Sequence, residues 1–230
     1  MSEGDRRMKE KIVVSWSGGK DSAFALYKLL KSEQYEVDSL LTSVTEGYNR
    51  ISIHGVRESL LERQAESLGI PLRKMYIPQE CSNEIYQNIM NDQLQQLKKE
   101  GIETVMFGDI FLEDVRSYRE EMIKSQNMKA VFPLWGQKTD QLIKEFISLG
   151  FKTVTTSIDT EKLSNEFLGR VIDETFIREL PEHIDPCGEN GEFHTFSFAG
   201  PIFKNSVDIT IGEIVEKGRF HFCELLDSEN

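Results

Sequence analysis

"VVSWSGGKDSAFALYKLL", residues 13–30, sets two glycines, a lysine and an aspartate between an apolar run and an amphipathic one. The run IVVSW (12–16) predicts a short buried strand, and the stretch from about Asp21 to Lys31 predicts a helix with Ala23, Leu26, Tyr27 and Leu30 on one side. The joint reads Ser17-Gly18-Gly19-Lys20-Asp21-Ser22. It lacks the GxxxxGK(S/T) spacing of the common P-loop and the GxGxxG of dinucleotide folds. Two glycines alone would serve to tighten a corner. The full string does more. Gly18 and Gly19 can aim successive N–H groups at one point. The helix start adds its positive end there. Ser17 and Ser22 supply hydroxyls and Lys20 a charge, so the joint suits an anion of more than one charge. Asp21 fits such a place in two ways. It can accept N–H bonds from its own loop and fix its shape, or it can stand near a Mg²⁺ that accompanies a polyphosphate.

Outward from this joint, strands and helices alternate. Strands are expected at 37–44 (VDSLLTSV), 71–77 (PLRKMYI), 102–110 (IETVMFGDI) and 129–135 (KAVFPLW). Helices are expected at 55–69 and 83–101, each closed by a glycine, and at 114–126. This pattern predicts an α/β fold, a doubly wound parallel sheet, over residues 1–135. Residues 136–230 predict a smaller C-terminal α+β part: a helix at 139–150, a strand at 151–158, a helix at 166–180, a polar loop, and a hairpin turning at Lys217–Gly218. In doubly wound sheets ligands bind at strand carboxyl ends. Ser17–Ser22 and Gly108–Asp109 both occupy such ends.

Composition narrows the partners. The net charge is −12 and no run of lysines and arginines occurs, which argues against nucleic acid. No apolar run approaches a membrane span. The charged start MSEGDRRMKEK lacks an apolar signal segment, and Cys81, Cys187 and Cys223 form no disulfide framework, so a cytoplasmic setting is expected. Homodimeric assembly is left open. His183, Cys187, His194, His221 and Cys223 fit no standard zinc spacing.

The SGGKDS loop after a strand resembles the pyrophosphate loop of the PP-loop ATP pyrophosphatases, which implies an adenine-nucleotide α-hydrolase fold. Further strings, IHGVRESLLERQAESLGIPL (53–72), FGDI (107–110), PLW (133–135), DQLI (140–143), FLGRVID (167–173) and DPCGENGEFHTF (185–196), resemble the diphthine–ammonia ligase family over nearly the whole chain. The resemblance implies ATP and Mg²⁺ as cofactors and an AMP-forming ligation. A carboxylate substrate, such as diphthine on an elongation factor, would be activated as an acyl-adenylate with release of pyrophosphate, then amidated by free ammonium, since the chain leaves no room for a glutaminase domain. It implies a nucleotide site of Ser15, Ser17, Gly18, Gly19, Lys20, Asp21, Ser22, His54, Gly108 and Asp109, with Asp21 and Asp109 as metal candidates. It implies catalytic roles for Lys20, Asp21, Glu192 and His194, and a substrate site of Glu189, Asn190, Gly191, Glu192, His194 and Thr195. The family commonly carries tyrosine where Phe193 stands, so no proton-transfer role is assigned there. From the string alone, GENGEFHT (188–195) would equally serve as a polar surface loop, Asp109 as a turn carboxylate and His54 as a helix-start residue. Two other readings compete: an adenine-nucleotide sensor without turnover, and a PP-loop enzyme acting on another substrate such as tRNA.

Overall fold

The computed structural model of the chain describes residues 9–47, 50–51 and 55–227. Strand β1 (Glu10–Ser15) pairs in parallel with β2 (Tyr35–Thr45), whose far end carries the short antiparallel β3 (Arg50–Ile51). With β4 (Leu72–Ile77), β5 (Thr104–Met106) and β6 (Lys129–Val131), the parallel order is β4-β2-β1-β5-β6. The chain runs outward from β1 in one direction, then returns to place β5 on its other side. The switch point of this doubly wound sheet is therefore the gap between the carboxyl ends of β1 and β5.

Alternation along the strands builds a core on each face. Val13, Leu41 and Val105 join Met90 and Leu94 of α3 (Asn83–Lys99) and Ile123 of α4 (Glu113–Ser125). Ile12, Val14, Leu40 and Met106 join α1 (Lys20–Lys31) and α2 (Glu58–Leu68). Gly69, in the left-handed conformation at φ 69°, closes α2, as its sequence predicts.

The second part begins with α5 (Thr139–Ser148) and holds an antiparallel sheet of order β8-β7-β10-β9, formed by β7 (Lys152–Asp159), β8 (Phe193–Ala199), β9 (Ile209–Lys217) and β10 (Phe220–Asp227). The whole is the expected α/β fold with a smaller α+β part. One apolar core runs through both. Phe146 of α5 stacks on Phe151 at 4.5 Å between centroids and meets Phe24 of α1 edge-on at 5.7 Å.

Three expectations are corrected. Leu30 is 44% exposed, while Phe24, Ala25 and Leu29 are buried, because the second sheet covers α1 on a face that a lone amphipathic helix would leave to water. The helix expected over 166–180 is broken. Gly169, at φ 72°, turns the chain onto β7, where Gly169 N donates to Thr155 O (3.0 Å) and Ile172 N to Thr153 O (2.9 Å). A 3-10 turn at Asn165–Phe167 and α6 (Glu174–Glu179) are what remains helical, α6 capped by Asp173, which accepts from Phe176 N at 2.8 Å. His194 and Thr195 lie in β8 rather than in the polar loop.

Candidate active site at the switch point

The loop after β1 is shaped by close packing. Gly18 sits at φ 77°, and a Cβ there would come within 2.7 Å of Gln64 Oε1 and 2.9 Å of Leu61 Cδ2. Gly19 caps α1 without a side-chain acceptor, so the first turn's N–H groups are not sealed by the cap residue. Ser17 Oγ accepts from Gly19 N (3.3 Å) and lies 3.2 Å from Ser22 Oγ, which donates to Gly19 O (3.0 Å). Lys20 is only 3% exposed. Its Nζ bonds both Asp21 carboxylate oxygens at 2.9 and 2.8 Å and lies 5.5 Å from the centroid of the Phe193 ring. Burial works against the Lys20 charge most strongly of any single cause, but the Asp21 carboxylate and the acidic groups around it together outweigh it, and the net shift keeps the amine protonated. Asp21 is thus the counter-ion of Lys20, a role beside the two expected of it.

The loop after β5 closes on the same point. A Cβ on Gly108 would meet the Asp21 carbonyl carbon at 3.0 Å and Ser22 N at 3.1 Å, so any larger residue would have to push the two backbones apart by a few tenths of an ångström. Asp109 pairs with Arg119 Nε of α4 at 3.1 Å. Burial pushes the Asp109 carboxyl above its ordinary range, with Arg119 opposing. Ile110 N donates to Glu189 Oε1 at 2.8 Å, which fastens the second motif to the switch point. Burial lifts Glu189 to about 7, opposed by the Ile110 N–H and Lys20 and reinforced by Asp21 and Asp109.

The second motif divides by role. Asp185 Oδ1 accepts from Cys187 N (2.9 Å) and Glu189 N (3.2 Å). Glu192 is 3% exposed, and its Oε1 accepts from Asp185 N and Asn190 Nδ2, each at 3.1 Å. Asn190 O accepts from Lys162 Nζ at 2.7 Å, and Gly191, at φ 79°, donates its N–H to Gly188 O at 3.0 Å. Glu192, Asn190 and Gly191 therefore shape their own loop. In β8, Phe193 and Thr195 face α1, and Thr195 Oγ1 accepts from Lys20 N at 2.9 Å. Alternation places the half-buried His194 on the opposite face of that strand. Burial pushes the Cys187 thiol far up, and its Sγ donates to Thr139 O at 3.5 Å, so it is an inert core thiol. Among the described residues no three His, Cys, Asp or Glu side chains converge as a metal-ligand group.

Beside the loop, at the carboxyl ends of β1, β2 and β4, lies a cleft of about 510 Å³. Ser15, Trp16 and Ser17 line it together with Met75 of β4, Tyr86 of α3 and Arg119 of α4. Its volume suits a nucleoside. His54 lies outside the described residues. Sequence reasoning missed Gln64, Arg119, Asp185 and Tyr86. Only Gln64 carried a local signal, as the polar member of an apolar helix stripe with Leu60, Leu61, Ala65 and Leu68.

Comparison with known proteins follows the same two parts. Residues 10–130 match the family model for the diphthamide synthase N-terminal domain, and residues 138–227 that for the diphthamide synthase C-terminal domain. The Homo sapiens diphthine–ammonia ligase is 23% identical, covering 89% of this chain and 85% of its own length. The Mus musculus diphthine–ammonia ligase is 25% identical with the same coverage, and that of Schizosaccharomyces pombe is 25% identical over 94% of this chain but 38% of its own. Among solved structures, the U34-tRNA thiolase NcsA from Methanococcus maripaludis superposes with a TM-score of 0.40 at 17% identity, over 62% of this chain and 58% of its own. The two family models together span most of the chain, and the chain belongs to the diphthamide synthase family.

Proposed function

We propose that the protein is an ATP-dependent, AMP-forming ligase that amidates a carboxylate with ammonia, the activity named for its diphthine–ammonia ligase relatives. The observation that carries the reading is the adjacency of a nucleoside-sized cleft to a polyanion loop at the switch point of a doubly wound sheet. The adenosine occupies the cleft. The β and γ phosphates lie along Ser17–Ser22 at the start of α1, where Thr195 takes the N–H of Lys20 and the N–H groups of the next residues in the first turn have no side-chain cap from Gly19. The substrate carboxylate attacks the α-phosphorus, pyrophosphate leaves on the loop, and ammonia displaces AMP from the acyl-adenylate. The protein's part is alignment and charge neutralisation of the leaving pyrophosphate.

Mg²⁺ would come with the polyphosphate and needs only one or two carboxylates besides phosphate oxygens. Asp21 and Asp109 are the candidates, and each already holds a cation, Asp21 the Lys20 amine and Asp109 the Arg119 guanidinium, so a metal would compete with these pairs. Asp185 and Glu189 set two further carboxyl groups near Asp21 and Lys20. That suits a cationic acceptor such as diphthine, whose quaternary ammonium needs negative charge nearby, and it suits free ammonium as nitrogen donor. A cytoplasmic setting accords with three unpaired cysteines. The test is amidation itself. With ATP, Mg²⁺, ammonium and a diphthine-bearing elongation factor, mass spectrometry of the modified peptide is expected to show carboxylate converted to amide. ATP binding without amidation of diphthine or of other carboxylates would favour a nucleotide sensor.

A further inference from the structure

Gln64 is fully buried, 0% exposed, in the middle of α2. A primary amide in such a place must find partners for its carbonyl and both N–H bonds. It finds them on three different segments. Its Oε1 accepts from Trp16 Nε1 at 2.9 Å, and its Nε2 donates to Gly18 O at 2.9 Å and to Ser197 O at 2.6 Å. The orientation of the amide is dictated by these partners, because an indole N–H only donates and the two carbonyls only accept. Ser197 N in turn donates to Gly18 O at 2.8 Å. Two donors therefore converge on the one carbonyl of Gly18, the residue held at φ 77°. Thr195, two residues earlier in β8, takes the N–H of Lys20.

We propose that Gln64 is the positioning residue of the phosphate loop: with the free edge of β8 it locks the Gly18 peptide, and so sets the direction of the N–H groups that meet the nucleotide's terminal phosphates. The loop is then shaped by both sheets. The smaller part acts as its fixed outer wall, not as a lid that only meets the other substrate. This inference rests on the reading that the loop receives the β and γ phosphates. Gln64 neither lines the cleft nor touches Lys20 Nζ; its one link to the adenosine end is the bond to Trp16, so its effect on the phosphate end is read as a difference between two nucleotides.

Binding of ATP and of AMP, measured by calorimetry with Mg²⁺ present, separates the outcomes. AMP shares the adenosine but lacks the terminal phosphates. Wild type is expected to prefer ATP. Gln64→Met, which keeps the length and removes both donors together with the acceptor of the Trp16 indole, is expected to lose about tenfold of that preference, with ATP weakened more than AMP. Trp16→Phe, which frees the amide from its indole anchor, is expected to shift the ratio in the same direction by less, and it decides the matter if Gln64→Met does not fold. Any effect of Trp16 on the adenosine cancels in the ratio. An unchanged ratio in the folded variants, or an equal loss for both nucleotides, overturns the positioning role and leaves Gln64 as a packing residue. A wild type without preference for ATP overturns the phosphate reading itself, and this proposal with it.

Discussion

Lys20 is held at 3% exposure by Phe193 above and Asp21 beside it, although a glycine-rich loop suggests a solvated lysine. Its ammonium is thus desolvated before any phosphate arrives, where its field is strongest. Lys20→Ala is expected to lower kcat/KM by about 2.7–4 kcal/mol of transition-state stabilisation. It should also cost stability, because Asp21 would be left near Asp185 and Glu189 without its counter-ion. Steady-state kinetics with urea unfolding on the same preparation measures both losses. Glu189 gives a test in pH. Its carboxyl titrates at about 7 in the folded chain against an ordinary 4.5, so the folded state binds the extra proton between these values. The stability from this group is full below 4.5 and is lost as pH rises through about 7. Because Glu189 remains partly open to solvent, we expect the loss to be about 1–2 kcal/mol. Gln can still accept from Ile110 N, so Glu189→Gln should flatten this slope in urea unfolding at pH 5 and pH 7.5. An unaltered slope would place the titration elsewhere.

Element by element, the site depends on how near α1 comes to the loop after β5. Gly108 is the point of closest approach, and its backbone lies outside the left-handed region, so the demand there is one of space. Gly108→Ala would press a methyl group on the Asp21 carbonyl and on Ser22 N, both backbone atoms that cannot rotate away. The expected cost is about 1–3 kcal/mol of stability, with weaker ATP binding as the first turn of α1 shifts. Urea unfolding and calorimetric titration check these, and a variant with wild-type values in both would show that the gap is slack. The same dependence on packing explains why α1 carries buried residues on more than one side, and why Gly169 can end a helix that its neighbours would continue. In each case a strand of the second sheet supplies the competing partner.

At the scale of the molecule, the Phe24, Phe146 and Phe151 cluster and the bonds of β8 to Gly18 and Lys20 join the two sheets. The chain is therefore expected to unfold in one cooperative transition. Near-ultraviolet and far-ultraviolet circular dichroism should give the same midpoint, and ATP should raise it as a unit. Two separated midpoints would mean that the sheets are only loosely coupled. The parallel sheet, the loop and the glycine helix ends were legible in sequence because short-range pattern and turn chemistry determine them. The partners that finish the site were not. Arg119 on Asp109, Glu189 on Ile110 and Thr195 on Lys20 are contacts between segments far apart in the chain, and only the strand order brings them together. His194 and Glu192 stood out by residue type, yet strand alternation turns one to the opposite face and loop hydrogen bonds engage the other. With the terminal phosphates held on the loop, ATP would be cut between α and β. Phosphorus NMR of the products, with ATP, Mg²⁺, ammonium and diphthine-bearing elongation factor, tests it most directly. AMP and pyrophosphate are expected, formed only when the carboxylate is present. ADP and orthophosphate would contradict it.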